Sequence, residues 1–160
     1  MTARPTSELP VRALPMDEEA RFANRTGEIR ITSEEQLTVA PALVSRDGTW
    51  LRAKYVETAD GMAGARATVA MTMGADPQVL VVRTGAVRAR YAFRAERVTR
   101  GGYELAEGRL DMEITTARLE VRVTEGRAVA EIDAQIAFAP GCSERRRILI
   151  DLTWRSHPRL

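Results

Sequence analysis

The sequence has few of the residues that build disulfides, metal sites and membrane spans. Its 160 residues include one cysteine, Cys142, and one histidine, His157. A single cysteine excludes an internal disulfide, and a lone histidine without a cysteine cluster does not form a zinc-type site. No apolar run approaches the length of a membrane span, and the N-terminal residues lack the apolar core of a signal peptide. We therefore expect a cytoplasmic protein with no metal, no cofactor and no membrane contact.

Lysine and aromatic residues are also scarce, which bears on nucleic-acid binding. The chain has 24 basic and 22 acidic residues and a pI of about 9.1, and Lys54 is its only lysine. Codon usage in a GC-rich genome explains such an arginine excess, and so small a net charge says little about function. Arg88 and Arg90 share one face of a predicted strand, as in a basic RNA-binding stripe. Aromatic residues, on which bases stack, are only 5% of the chain, so we expect cross-strand ion pairs there instead.

Alternation of apolar and charged residues is the dominant pattern and predicts β-strands. In the run from residue 51 to residue 57 the odd positions are Leu51, Ala53, Tyr55 and Glu57. A strand places successive side chains on opposite faces, so such a run has one apolar face and one solvated face. Helical periodicity with caps is absent, apart from a weak signal in the acidic patch near Asp17. The pattern therefore predicts an all-β protein.

Glycine, proline and aspartate mark the predicted turns. Asp47-Gly48 between two alternating runs predicts a β-hairpin. Arg100-Gly101-Gly102 is interpreted as a turn that separates the strand ending at Phe93 from a strand beginning at Tyr103. Pro41 interrupts another apolar run and predicts an edge position or a bulge.

A change of phase in the longest run predicts that the sheet bends. Apolar residues keep one phase up to Ile114 and the opposite phase from Leu119, so a β-bulge is predicted within residues 115–118. Bending of this kind is what barrel closure requires. Short turns between consecutive strands predict an antiparallel up-and-down β-barrel of roughly eight to ten strands. The barrel domain is assigned to residues 26–156 and a proline-containing N-terminal arm to residues 1–25, with a short edge strand at Val11–Leu14.

Two charged residues are in phase with apolar neighbours and are expected inside the barrel. Glu57 continues the phase of Tyr55, and Arg83 continues that of Val81. A buried charge is costly unless it is paired, so we expect Glu57 and Arg83 to meet, together with the hydroxyl of Tyr55 or Tyr91. One interpretation is an ion pair that plugs the barrel. The other is a polar anchor in an apolar pocket, with Arg83 holding the carboxylate or phosphate of a ligand.

Several short motifs follow one another in order along most of the chain, from about Val44 to Trp154. They are Tyr55-x-Glu57, Gly61-Met62 with Gly64 and Thr68, Arg83-x-Gly85, Phe93, Tyr103-Glu104 with Gly108, and Thr116-x-x-Leu119. In this order and spacing the chain resembles an uncharacterised calycin-like barrel family that includes the bacterial protein YwiB. The resemblance implies an antiparallel barrel similar to lipocalins and fatty-acid-binding proteins, and it brings no known activity or catalytic residue. Leu105 stands where the family usually has a threonine.

Three functions remain open on the sequence alone. The leading hypothesis is a non-enzymatic barrel for a small apolar or anionic ligand, bound in the interior by Tyr55, Glu57, Arg83 and Tyr91. The second is a hydrolase or isomerase that uses Glu57 as acid or base. The third is an RNA or protein interaction module that uses Arg88 and Arg90. No strand has an exclusively apolar exposed face, so we expect a monomer or a weak homodimer.

Overall fold

The alternating runs form ten β-strands in the computed structural model, which describes residues 25–34, 36–58 and 62–155. In chain order the strands are β1 (Arg25–Ser33), β2 (Gln36–Asp47), β3 (Trp50–Val56), β4 (Arg66–Thr72), β5 (Gln78–Thr84), β6 (Arg88–Arg94), β7 (Arg97–Leu105), β8 (Gly108–Thr124), β9 (Arg127–Ala139) and β10 (Cys142–Trp154). These described ranges contain no helix, and so none long and apolar enough to cross a membrane. The all-β prediction is confirmed.

The sheet closes on itself because each strand pairs with the next and the last pairs with the first. Every pairing is antiparallel; Ile29 of β1, for example, lies opposite Ala40 of β2 on one side and Leu152 of β10 on the other. Closure satisfies the backbone hydrogen bonds that an open sheet would leave at its edges. The closed meander confirms the predicted up-and-down barrel.

The inward faces of the strands form one continuous apolar core. In β3 every second residue is buried, as the period of a half-buried strand requires. The largest side chains with almost no exposure are those of Phe93, Ile29, Met71, Ile114 and Leu152. Alanines such as Ala53, Ala130 and Ala134 are buried between them. Large and small residues on facing strands fit together in this way without strain.

The change of phase in β8 is a β-bulge, as predicted. The register between β8 and β9 shifts between Thr116 and Arg118. Thr116 and Leu119 are both buried although they are three residues apart, while Ala117 is exposed. The extra residue allows both halves of the 17-residue strand to face the core while the strand bends.

The prediction of a turn at Arg100-Gly101-Gly102 is wrong, because both glycines lie inside β7. The turn between β6 and β7 falls at Ala95 and Glu96, and Glu96 adopts a φ of 60°. Glycine at position 101 serves close packing instead. A Cβ added there would lie 2.7 Å from the Cβ of Tyr91 and would also clash with the carbonyl oxygen of Arg90. The glycine therefore permits the close approach of β6 and β7. Glycine inside a strand often marks such a close approach of two backbones.

The hairpin predicted at Asp47-Gly48 and the edge position predicted at Pro41 are both confirmed. Asp47 and Trp50 lie opposite each other across the hairpin turn, where Gly48 has a φ of 66°. β2 pairs with β1 from Gln36 to Val44 but with β3 only from Leu43 onward. Pro41 thus has a strand neighbour on the β1 side alone, which is the edge position that a residue without an N–H tolerates.

The barrel occupies the chain from Arg25 to Trp154. The arm predicted for residues 1–25 lies outside the described residues except for Arg25, the first residue of β1. The edge strand predicted at Val11–Leu14 also lies outside them.

Side chains close the end of the barrel at which the β2–β3 and β8–β9 turns lie. Leu51, Val44, Val123 and Trp154 surround a space of only about 150 Å³ there. Leu51 and Val44 are buried and Trp154 packs against the core. Any larger interior space must therefore lie toward the opposite end.

The contact at Gly101 predicts an asymmetric effect of alanine substitution. Gly101→Ala should lower the free energy of unfolding by about 1–3 kcal/mol, because the methyl group would push β7 away from Tyr91. Gly102→Ala is the matched control, since its Cβ would lie no closer than 3.0 Å to a neighbouring atom, the Leu110 carbonyl oxygen. Urea denaturation of both variants measures the difference, and equal stability of the two would contradict this role for Gly101.

Candidate functional site

A cavity of about 250 Å³ occupies the other end of the barrel. Its apolar wall includes fully buried residues deep in the barrel, such as Val69 and Phe93. Phe138, which is 39% exposed, and Gln36 lie at its outer end. The cavity therefore runs from the core to the surface, with the polar residues in its wall drawn from several strands.

A buried ion pair forms part of the cavity wall. Glu57 is 3% exposed and Arg83 is 8% exposed, and Arg83 Nε donates a hydrogen bond to Glu57 Oε2 at 2.9 Å. Both phases read from the sequence are thus correct, and the expected meeting of the two charges is confirmed. Pairing offsets the desolvation of each charge, which neither would withstand alone in this apolar surrounding.

Backbone hydrogen bonds fix the position of Glu57 just beyond the end of β3. Its N–H donates to the Ala65 carbonyl at 2.8 Å, and its own carbonyl accepts from the Gly64 N–H at 3.0 Å. The Ala65 N–H donates to the Met62 carbonyl at 3.0 Å. These bonds hold the carboxylate in phase with β3 although the strand has ended at Val56.

The strand register aligns three of the polar residues in one row that runs across five strands. Opposite neighbours in this row are Tyr55, Ala67, Arg83, Ala89 and Tyr103. The two alanines separate the three long side chains, so the guanidinium of Arg83 has room to lie between the phenol rings. Two positions beyond Tyr55 along the chain, Glu57 meets Arg83 from the adjacent layer.

Two tyrosine hydroxyls also form hydrogen bonds with the ion pair. Tyr55 donates to Glu57 Oε2 at 3.3 Å, and Arg83 Nη1 donates to the Tyr91 hydroxyl at 2.8 Å. The Arg83 guanidinium also lies 5.7 Å from the centre of the Tyr91 ring, within the range of a cation–π contact. The structure therefore brings together all four interior residues that the sequence singled out.

Tyr103 belongs to the same cluster, although the sequence did not predict an interior position for it. Its ring centre is 5.9 Å from that of Tyr91, and its side chain lines the cavity. The mistaken turn at Gly101-Gly102 placed Tyr103 at the start of a strand, where no phase with preceding residues could be read. With β7 taken as one strand, Tyr103 shares the inward phase of Thr99 and Gly101, which lie opposite the buried Ile114 and Met112.

Burial sets the protonation of the cluster. Desolvation raises the pKa of the Tyr55 hydroxyl well above its usual range, and the nearby Glu57 carboxylate raises it further. Desolvation likewise raises the pKa of Tyr103, with Tyr91 as the next cause. Burial would lower the pKa of Arg83, but its contacts with Tyr91, Tyr103 and Tyr55 raise it overall. At neutral pH these two phenols are neutral and the guanidinium is charged.

Two polar atoms of the cluster have no side-chain hydrogen-bond partner among the described residues. Within the described residues, Arg83 Nη2 donates no side-chain hydrogen bond and Glu57 Oε1 accepts none. Neither atom is among the fully buried polar atoms that lack a partner. The two residues of the pair, one a charged donor and one a charged acceptor, both line the cavity. The same described part of the chain holds no group of three or more residues suited to a metal ion.

Except for Arg146 at its outer end, the exterior arginines lie apart from the cavity, and most are paired with carboxylates. Cross-strand pairs as expected from the sequence join Arg127 to Asp151 at 2.8 Å and Arg145 to Asp133 at 2.7 Å. Arg88 is 71% exposed and lies 3.8 Å from Glu104. These contacts confirm ion pairs across the outer face of the sheet. Exposed pairs of this kind contribute little to stability.

Removal of one partner of the ion pair should be strongly destabilising. Glu57→Ala leaves the Arg83 guanidinium buried without its counter-charge, so we expect the free energy of unfolding to fall by roughly 3–5 kcal/mol. Glu57→Gln keeps the shape and an acceptor oxygen and should cost less. The double variant Glu57→Leu/Arg83→Met should recover much of the loss, because no unpaired charge remains. Thermal unfolding of Glu57→Ala identical to the wild type would contradict a buried pair.

The raised pKa values predict how the protein responds to alkali. Unfolded tyrosines lose their protons near the ordinary pKa of 10.0, whereas folded Tyr55 and Tyr103 hold theirs. The stability that these neutral phenols contribute is complete below about pH 10 and is lost as the pH rises further. The near-ultraviolet phenolate absorbance of Tyr55 and Tyr103 should therefore rise together with unfolding. Titration of these two tyrosines near pH 10 in a still-folded barrel would refute the assignment.

Comparison with solved structures identifies a protein of the same fold. The crystal structure of the YwiB protein from Bacillus subtilis matches this chain with a TM-score of 0.67 at 14% sequence identity. The match covers 88% of this chain and 97% of that one. At this identity the likeness concerns the fold, and it confirms the resemblance read from the ordered motifs.

Sequence comparison gives the family. No curated protein matches the sequence of this chain. The family model described as a domain of unknown function, DUF1934, matches residues 24–139, which include β1 to β9 and every residue of the ion-pair cluster. The chain therefore belongs to the DUF1934 family.

Proposed function

We propose that this barrel is a non-enzymatic binding protein for a small, mainly apolar molecule. The observation that carries the proposal is the cavity of about 250 Å³ beside the Glu57–Arg83 pair. A concave apolar space with a few convergent polar groups is the usual form of a small-molecule site. The ligand would lie along the apolar wall with its polar end against Arg83 and the three tyrosines.

The size of the cavity supports a small ligand. An apolar cavity of about 150 Å³ in a protein core accepts benzene, so this one would take a molecule somewhat larger. Its apolar wall comes from residues of several strands, among them Val69, Val81, Phe93, Ile136 and Ile150. If the ion pair served only to fill the end of the barrel, no cavity would be needed beside it. A cavity within an otherwise well-packed interior is costly and uncommon.

Binding accounts for the cluster better than acid–base catalysis by Glu57. One carboxylate oxygen already accepts hydrogen bonds from Arg83 and Tyr55. The described residues that line the cavity include no second carboxylate, cysteine or histidine that would act with it. Hydrolytic mechanisms that use a carboxylate ordinarily need such a partner.

The outer surface of the barrel gives less support to the hypothesis of nucleic-acid binding. Arg88 faces Glu104, and Arg100 lies 3.2 Å from Glu113 on the same side of the barrel. Such pairs reduce the positive field that would attract a phosphate backbone. We also propose a cytoplasmic location, which suits the exposed free thiol of Cys142.

Filling the cavity should abolish binding. Native mass spectrometry of protein purified from cells is expected to show an adduct of defined small mass. Val81→Phe, which places a ring inside the cavity wall, should remove that adduct. Val98→Phe is the matched control, because Val98 is 56% exposed and lies outside the cavity.

Two results would count against the proposal. One is an adduct retained in full by a folded Val81→Phe variant, which would place the ligand elsewhere. The other is failure of the wild type to bind any small apolar probe, tested by saturation-transfer NMR with benzene and its simple derivatives. Circular dichroism would verify that both phenylalanine variants fold.

A further inference from the structure

We infer that the cavity selects a neutral ligand with a polar head group, such as an amide, over an anion of the same shape. This inference rests on the proposed binding function and specifies its ligand class. It follows from the state of Arg83, the deepest cation in the cavity wall. Arg83 would attract an anionic head group strongly only if its charge were uncompensated.

The charge of Arg83 is already compensated within the site. Glu57 Oε2 accepts its Nε–H at 2.9 Å, and both side chains are almost fully buried. The described lining contains one other cation, Arg146, at the outer end of the cavity. Arg146 Nε donates to Glu144 Oε1 at 3.1 Å, so it is paired as well. Each arginine of the described cavity wall is therefore paired with a carboxylate, Arg83 with Glu57 inside the wall and Arg146 with Glu144 outside it.

An anionic head group on Arg83 would lie beside the Glu57 carboxylate. Two like charges separated by about 4–6 Å in a poorly hydrated site repel each other, and one of them must gain a proton or leave. No third cation from the described residues reaches this part of the cavity to offset that repulsion. A carboxylate ligand would thus lose in repulsion much of what it gained from the guanidinium.

A neutral amide fits the same two groups without repulsion. Its carbonyl oxygen can accept from Arg83 Nη2, and its N–H can donate to Glu57 Oε1, the two atoms without side-chain partners in the described structure. Hydrogen bonds to charged groups are stronger than those between neutral ones. The ion pair is therefore a donor–acceptor edge that matches an amide or a similar neutral group.

Hexanamide and hexanoate provide a direct comparison, because they have the same number of non-hydrogen atoms and the same apolar chain. Dissociation constants at neutral pH can be measured by ¹H–¹⁵N NMR titration of the full chain. We expect hexanamide to bind at least about tenfold more tightly than hexanoate, since like-charge contacts are penalised heavily in buried sites. The wild-type ratio alone decides the inference, whatever the stability of any variant.

A charge-removing variant tests the cause of the selectivity. Glu57→Gln leaves Arg83 uncompensated, so hexanoate should gain affinity and the preference should disappear or reverse. Glu104→Gln is the matched control, because Glu104 is an exposed carboxylate outside the interior cavity and should leave the ratio unchanged. An unchanged ratio in a folded Glu57→Gln variant would overturn the role of Glu57.

The outcomes separate this inference from the proposed function. Binding of both probes in the cavity with hexanoate tighter in the wild type overturns the inference and leaves the proposed function standing. Chemical shift changes confined to the exterior for both probes overturn both. Tighter binding of hexanamide, with changes at cavity residues such as Val81 and Tyr91, supports both.

Discussion

Closure of the sheet is the constraint on which the rest of this structure depends. Ten antiparallel strands shield the interior along their length, so inward side chains away from the open end must find their partners inside. Apolar residues meet this condition by packing, and most inward positions hold them. The bulge in β8 and the glycine contact between β6 and β7 are local departures from regular pairing that allow the strands to curve and approach. Without the bulge and this contact, strands with the same alternating pattern would form a flatter sheet.

Closure also explains why the polar cluster is so compact. A glutamate and an arginine on inward positions are almost fully buried, so they pair with each other and with tyrosine hydroxyls. The alternation of long side chains with Ala67 and Ala89 across the row gives these groups their space. The closed end of the barrel has no such row and is filled by Leu51 and Trp154 instead. One end is thus packed for stability, and the other combines a cavity with fixed polar groups.

The position of the cluster explains how the proposed binding site would select its ligand. Groups held by several hydrogen bonds from different strands lose little freedom when a ligand arrives, which favours selective binding. The pairing of Arg83 with Glu57 also changes what the site attracts, because a compensated cation acts as a hydrogen-bond donor more than as a free charge. The exterior carries most of the arginines, and carboxylate partners such as Asp151 and Asp133 reduce the positive field of that surface.

The sequence by itself determined the all-β class, the meander order, the bulge in β8 and the inward phase of Glu57 and Arg83. It did so because the two-residue period of a strand and the chemistry of hairpin turns are local properties of the chain. Tertiary structure alone decided that Gly101 and Gly102 lie within a strand, that Tyr103 joins the cluster, and that one end of the barrel holds a cavity. Those features depend on which strands lie side by side and on the volume left between them. In the sequence, glycine at position 101 suggests a turn. In the structure, glycine is required there because the backbone of β6 packs directly against it.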